Sequence, residues 1–168
     1  MKRIATLIAT VFLIASVTGC DPSTYYFDKE QYADKIEKIE LRYSEPTENP
    51  RIIKIEEEHP VFKLEHSSVI ETLDSNKIAN FVDDFSTITF HLIFETCDEP
   101  FGQILLMYLT NGNYIVSSFS ILNKKGYCCF CEFDSNCEFV KFIGDLAEST
   151  KYELVLGNYF ASYTKILK

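Results

Sequence analysis

Four strand-like runs in the second half of the chain follow one another too closely to be joined by crossover helices. They cover residues 89–96, 103–109, 113–121 and 127–133. Parallel neighbours need a connection of about a dozen residues or more, so these runs must pair as antiparallel neighbours. Asn111-Gly112 predicts a tight hairpin between the second and third runs, because both central residues of such a turn take positive φ. Lys125-Gly126 predicts the next reversal.

The first half of the chain adds shorter patterns of both kinds. Apolar and polar residues alternate over residues 36–43, 51–57 and 61–65, which predicts three strands, with a hairpin joining the later ones. An amphipathic helix is then predicted from the apolar residues at helical spacing, which are Ile78, Phe81, Val82 and Phe85. Asp74 or Ser75 is expected to cap this helix.

A second helix is predicted to begin near Ser135. The tetrapeptide Ser135-Asn136-Cys137-Glu138 matches a capping box, and an apolar stripe follows at Phe139, Val140, Ile143, Leu146 and Ala147. The tail over residues 152–167 fits either a strand or a last helix. The order βββ-α-ββββ-α predicts an α+β fold, in which two amphipathic helices pack on one face of a mostly antiparallel sheet.

The N-terminal segment carries a secretory pattern. Lys2 and Arg3 precede an apolar run over residues 4–17, which is too short to cross the ~30 Å hydrocarbon core of a bilayer. The segment ends in Val17-Thr18-Gly19-Cys20, which resembles the lipobox of bacterial lipoproteins. An ordinary signal peptide, or an apolar helix that happens to end in Cys, is the alternative.

The lipobox resemblance implies a division of the chain and a location. Residues 1–19 would be the signal peptide, residues 20–33 the lipidated Cys20 with a short tether, and residues 34–168 a single extracytoplasmic domain. Lipid chains on Cys20 would hold that domain on the outer face of the plasma membrane. In a Gram-negative host, Asp21 resembles the signal for retention in the inner membrane. The mature chain as a whole resembles uncharacterised small lipoproteins of Gram-positive bacteria.

The charge of the mature chain restricts its partners. Loss of Lys2 and Arg3 would leave 14 Lys and Arg against 25 Asp and Glu. This acidic balance argues against nucleic acid and against attraction to anionic lipid headgroups. Charge alone does not identify the partner, but the lipid anchor, the small size, the antiparallel sheet and the missing catalytic motifs lead us to expect a domain that binds a protein or peptide.

Five cysteines remain after Cys20, and an odd number suggests two bridges with one thiol left over. The preferred bridge joins Cys131 to Cys137, while Cys97 is expected to meet one of the others. Cys129 and Cys131 should share one face of a strand and Cys128 the other. The alternative is a thiol or zinc-binding protein that uses Cys97, Cys128, Cys131 and Cys137.

Familiar catalytic patterns are absent from the sequence. The chain lacks G-x-S-x-G, phosphate-loop and dinucleotide motifs, and His59, His66 and His91 form no H-E-x-x-H pair. We therefore expect a non-catalytic protein without a cofactor. Tyr114, Ser118 and Ser120 share one strand face, which is either a contact surface or a second core layer covered by the tail.

Overall fold

The computed structural model describes residues 24–45, 52–54, 59–91, 96–98, 100–122 and 125–163, with the side chains of residues 52–54, 96–98, 118–122 and 125–127 left outside that description. The strands are β1 (Thr24–Tyr26), β2 (Ile36–Ser44), β3 (Ile52–Lys54), β4 (Ser67–Thr72), β5 (Thr89–His91), β6 (Thr96–Asp98), β7 (Gly102–Leu109), β8 (Tyr114–Leu122), β9 (Lys125–Phe133) and β10 (Phe139–Leu146). The helices are α1 (Lys29–Tyr32), α2 (Ile78–Phe85) and α3 (Ser149–Tyr159).

Eight of these strands form one antiparallel sheet. Their order is β1-β5-β10-β9-β8-β7-β2-β4, so β1 and β4 lie at opposite ends of the sheet. Strands β7 to β10 form a meander. The earlier strand β2 pairs with β7 on one side and with β4 on the other. The short strands β3 and β6 pair separately as a two-stranded sheet.

The main core lies between the sheet and the helices, on what we call the helical face. Helix α2 contributes its apolar stripe and α3 contributes Tyr152, Val155 and Leu156. Phe85 is fully buried at the centre of this core, with its ring edge-on to those of Phe27 and Phe130. Because aromatic rings bury large areas and favour edge-to-face contacts, this cluster fixes how α2 sits on the sheet.

A smaller core covers the other side of the sheet, the opposite face. Phe62 packs there against Leu106, Val116 and Phe133, and the 3₁₀ turn Leu64–His66 adds Leu64. The chain over residues 59–66 therefore covers this face, because Phe62 is only 2 % exposed. Burial on both faces keeps the central strands apolar on both sides.

The predicted α+β class is confirmed, since the sheet is mostly antiparallel and carries helices on one face. The predicted helix at Ile78 is confirmed, and Asp74 accepts a hydrogen bond from the backbone N–H of Asn76 in the preceding 3₁₀ turn. The turn at Asn111-Gly112 joins β7 to β8 as predicted. Gly112 takes a positive φ there, whereas Asn111 does not.

The predicted helix at Ser135 is wrong, because these residues close the β9–β10 hairpin. Asp134 accepts hydrogen bonds from the backbone N–H groups of Asn136 and Glu138, and Cys137 takes φ 63°. This local turn uses the N–H groups that a helix cap would have used. Two register shifts in β10 then break the alternation of apolar residues, so the strand imitates a helical stripe.

The first half also differs from the prediction at residues 61–65. They form no strand, and the pairing strand β4 starts only at Ser67. The run over residues 89–96 is divided between β5 and β6, which belong to different sheets. Of the run over residues 51–57, only β3 lies within the description, and it pairs with β6 rather than in a hairpin with its neighbour in sequence.

Both ends of the described chain pack on the domain. Residues 152–159 of the tail lie in α3, which decides between the strand and helix alternatives there, and residues 164–167 lie outside the described residues. The expected tether over residues 20–33 contains β1 and α1, so Phe27 and Tyr32 are buried. Among the described helices, none is both long and apolar enough to span a bilayer.

Candidate functional site

Strand β4 is the longer of the two strands that end the main sheet. It pairs with β2 along one side only, and the described chain places no strand on its outer side. A strand in this position presents unpaired backbone N–H and C=O groups to its surroundings. These groups are the donors and acceptors that an added strand would use.

Arg42 fixes the start of β4 against β2. Its guanidinium donates from Nη2 to the carbonyl oxygen of Ser67 at 2.7 Å and from Nε to the Ser67 hydroxyl at 2.9 Å. The Ser67 hydroxyl donates in turn to the carbonyl oxygen of Leu64 at 2.9 Å. One buried side chain thus holds both β4 and the turn before it, so the edge is built on rigid structure.

Glu40 neutralises this arginine inside the protein. Its carboxylate lies 2.5 Å from Arg42 Nη1 and accepts a hydrogen bond from the Tyr108 hydroxyl at 2.7 Å, while Lys38 Nζ lies 2.9 Å away. Burial acts to raise the pKa of Glu40, but these three donors together outweigh it and hold the pKa below its ordinary value. The carboxylate is fully engaged, which gives it a structural role.

Exposed apolar side chains line the β4 edge. Val69 is 49 % exposed, Ile70 36 % and the adjacent Tyr43 of β2 44 %. The strand contains no Lys, Arg or Pro, the residues with which proteins usually protect an edge. The strand has one bulge, at Ile70 between the pairs Leu41–Glu71 and Arg42–Val69, and its exposed apolar side chains still favour pairing with another extended segment.

The end of α3 is attached beside this edge. Glu71 of β4 accepts hydrogen bonds from the backbone N–H groups of Ala161 at 3.2 Å and Ser162 at 2.7 Å. Partial burial acts to raise the pKa of Glu71, yet the two backbone donors lower it overall. The only acidic residue of β4 is therefore already engaged within the chain, which leaves the exposed edge without a competing free carboxylate.

A cleft of about 210 Å³ lies at the start of β4, between Phe62, Lys63, His66 and Pro100. It is smaller than the ~300–1,000 Å³ typical of small-molecule sites. Its size suits a single side chain of a bound segment better than a cofactor. His66 thus lines a cleft beside β4 rather than forming a ligand pair.

A second cleft, of about 270 Å³, lies near the other end of the sheet between Tyr25, Tyr32 and Lys141. The buried Glu132 beside it accepts hydrogen bonds from the Tyr32 hydroxyl at 3.0 Å and from Asn113 Nδ2 at 2.7 Å. Burial and the negative charge of Glu132 raise the pKa of Tyr32. This network ties α1 to β9, and Asp28 and Lys141 also line the cleft.

The cysteines of β9 are divided between the two faces, as the strand period predicts. Cys128 packs against the helical-face core, whereas Cys129 and Cys131 lie in the opposite-face core. Burial raises the pKa of Cys128 to about 12 and that of Cys131 still further above its usual range. Thiols with raised pKa values are poor nucleophiles and poor ligands.

The expected bridge between Cys131 and Cys137 is not formed, because neither residue is disulfide-bonded, nor is Cys128. The physical reason is that Cys137 sits in a hairpin turn with positive φ instead of at a helix start. Cys129 is disulfide-bonded to a partner other than these three residues. Of the four-thiolate alternative, Cys128 and Cys131 lie on different faces of the sheet, and the side chain of Cys97 lies outside the described residues.

The strand face with Tyr114 is a second core layer, not an open contact surface. Tyr114 is partly buried in the opposite-face core and lies edge-on to Tyr108 with ring centroids 5.3 Å apart. Residues 59–66 cover this face in place of the tail. The exposed His59 stacks on Phe139 of this layer, with ring centroids 4.5 Å apart. The side chains of Ser118 and Ser120 lie outside the described residues.

Sequence reasoning missed the β4 edge. Residues 67–72 carry β-branched residues, but nothing local indicates that the strand ends the sheet. Comparison with known proteins adds no assignment, since the chain matches no protein-family model, no curated protein and no solved structure.

Proposed function

We propose that this protein is a bacterial lipoprotein, anchored by lipid on Cys20 to the outer face of the plasma membrane, whose domain binds an extended polypeptide segment by strand addition to β4. The domain is non-catalytic in this proposal. The observation that carries the binding role is the exposed, uncharged outer edge formed by Val69 and Ile70.

The anchor rests on the sequence over residues 1–20. Two basic residues, an apolar run and Val17-Thr18-Gly19-Cys20 together match a lipoprotein signal. If the domain and its partner are both attached to the same membrane, they need not meet by diffusion through bulk solution. A modest interface such as one added strand becomes effective at the resulting high local concentration.

The choice of an extended polypeptide follows from the chemistry of the edge. Backbone groups on β4 pair only with another extended backbone, and Val69 and Ile70 offer apolar contacts to its side chains. Glu40 and Arg42 lie inside the neighbouring strand as a compensated pair, so they hold the edge in place without competing for the ligand. The cleft beside Lys63 and His66 can take one side chain of the segment.

A non-catalytic role is supported by the state of the polar groups. Glu40 and Glu132 are saturated by hydrogen bonds inside the fold. The thiols of Cys128 and Cys131 are buried, with pKa values that keep them protonated at neutral pH. These groups stabilise the domain instead of reacting.

The test is site-specific photocrosslinking in intact cells that carry the lipidated protein. A photoreactive amino acid at position 69 or 70 should form adducts with a defined segment of a partner, whereas one at position 154 should not, although Leu154 is 63 % exposed. A synthetic peptide covering the crosslinked segment should then protect the β4 amides from hydrogen exchange.

The matched variants are Val69→Lys and Leu154→Lys. A lysine on the edge opposes strand addition, so the first should lose peptide binding at least several-fold, while the second keeps it. Equal affinities for the two variants, or exchange protection confined to elements other than β4, would refute strand addition.

A further inference from the structure

The structure begins its first strand only four residues after the lipid-bearing cysteine. Thr24 opens β1, and an extended chain spans at most ~3.6 Å per residue, so Thr24 lies within about 14 Å of Cys20. The polar headgroup layer on one side of a bilayer is itself several ångströms thick. Strand β1 is therefore confined to the membrane surface whatever path residues 21–23 follow.

Strand β1 is a fixed part of the domain and not a loose extension of the tether. Tyr25 pairs with Phe90 of β5, its side chain packs against the helical-face core, and Phe27 is only 2 % exposed. Gly144 of β10 makes room for the Tyr25 hydroxyl, because a Cβ there would overlap it. The anchoring constraint on β1 is thus transmitted to the whole sheet.

The residues at this end of the sheet suit an interface with headgroups. Residues 24–27 carry no charge, and Tyr26 is 62 % exposed. Tyrosine is favoured where an apolar ring and a polar hydroxyl meet both lipid and water. By contrast, contact through the outer surface of α2 would bury the ion pair of Asp83 with Lys29, at 2.6 Å, and the exposed Asp84 against the membrane. The loss of hydration of these charged groups disfavours a flat orientation.

We infer that the domain stands on the lipid headgroups through the β1 end of its sheet, with Tyr26 in the interface, and so presents the β4 edge away from the membrane. Seven strand spacings of ~4.8 Å separate the two ends, which puts β4 about 34 Å from β1 along the sheet. The inference rests on the proposed lipid anchor. Its consequence is that the segment bound at β4 belongs to an extracytoplasmic part of the membrane-associated partner, about 34 Å from the headgroups, and not to residues at the bilayer surface.

The chain contains no tryptophan, so single substitutions give clean fluorescent reporters. We would prepare the lipidated full-length protein as Tyr26→Trp, Val69→Trp and Leu154→Trp, all at exposed positions, in phosphatidylcholine vesicles with a headgroup nitroxide-labelled lipid. The reporter at position 26 should be quenched several-fold more than those at positions 69 and 154.

Equal quenching at positions 26 and 69, or the strongest quenching at position 154, would overturn the upright orientation. Intact mass of the same samples separates this failure from failure of the anchor. A protein that carries no lipid on Cys20 and does not float with the vesicles would overturn both the orientation and the proposed function.

Discussion

Arg42 donates two hydrogen bonds to Ser67, one of 2.7 Å to its carbonyl oxygen and one of 2.9 Å to its hydroxyl. Arg42 also forms a buried ion pair with Glu40 at 2.5 Å. The position of the first residue of the exposed strand β4 therefore depends on this ion pair. A buried pair of this kind contributes more to defining one geometry than to net stability.

Replacement of Arg42 by Met should destabilise the protein by about 3 kcal/mol, because Glu40 is left buried without its main cation. Urea unfolding of the two proteins measures the difference. The control is Lys38→Met, which removes the 44 % exposed cation of the same network and should cost less than about 1 kcal/mol. Equal losses for the two variants would contradict the central role of Arg42.

The free energy of unfolding should decrease at acidic pH, because the Glu40 carboxylate becomes protonated. The pKa of Glu40 is lower in the folded protein than its unfolded value of about 4.5, so its contribution is complete above that pH and is lost as pH falls through the folded pKa. Unfolding midpoints of wild type and Glu40→Gln should therefore converge as the pH drops below about 4.5. Glu71 shifts in the same direction and will leave some slope in the variant. A difference that does not depend on pH would contradict this account.

Gly144→Ala should displace β1 from the sheet. A Cβ at this position would overlap the Tyr25 hydroxyl and lie 2.8 Å from Tyr25 Cζ and 3.1 Å from the His91 carbonyl oxygen. We expect a cost of about 1–3 kcal/mol, as for overpacking in general, and faster hydrogen exchange in β1 and β5.

The control for that variant is Gly157→Ala in α3. A Cβ at position 157 meets nothing within 4 Å, so the change should stabilise the protein by about 0.5–1 kcal/mol. The prediction for Gly144→Ala would be contradicted if the amides of β1 exchanged in that variant at the wild-type rates. Such a result would mean that the position of Tyr25 does not depend on the space beside Gly144.

The disulfide of Cys129 should prove to join it to Cys97. Cys128, Cys131 and Cys137 are not disulfide-bonded, and Cys20 is proposed to carry lipid. Strand β6, which carries Cys97, contacts β8, and β8 pairs with β9 at Cys129. Thiol labelling in denaturant followed by peptide mapping without reductant should find three labelled cysteines and one linked pair. A peptide that links Cys131 to Cys137 would contradict the structure.

The meander and α2 could be predicted because local signals agree with the final pairing. Gly112 supplies the positive φ of the β7–β8 turn, and the apolar spacing of α2 matches its buried face. At Ser135 the local sequence pattern does not agree with the final pairing. The turn at Asp134 and the two bulges in β10 produce the same sequence pattern as a capped amphipathic helix. Such bulges depend on pairing with β9, which a single local pattern does not show.

The candidate site could not be predicted for a related reason. Whether a strand lies at the edge of a sheet depends on the other strands, and β2 is placed between β4 and the distant β7 by long-range pairing. The roles of Glu40 and Arg42 were hidden as well, since alternating charged residues in a strand normally indicate a solvated face. Only the packing of Phe62 and Tyr108 over that face reveals the burial of these two residues.

The most direct test of the account is the intact mass of the mature protein extracted from the membranes of a bacterial host that expresses the full chain. We predict an N-terminus at Cys20 with at least a diacylglyceryl group on its sulfur, and loss of both the cleavage and the membrane fraction in Cys20→Ala. A mature chain that begins at another residue, or one with an unmodified Cys20 thiol, would contradict the lipid anchor.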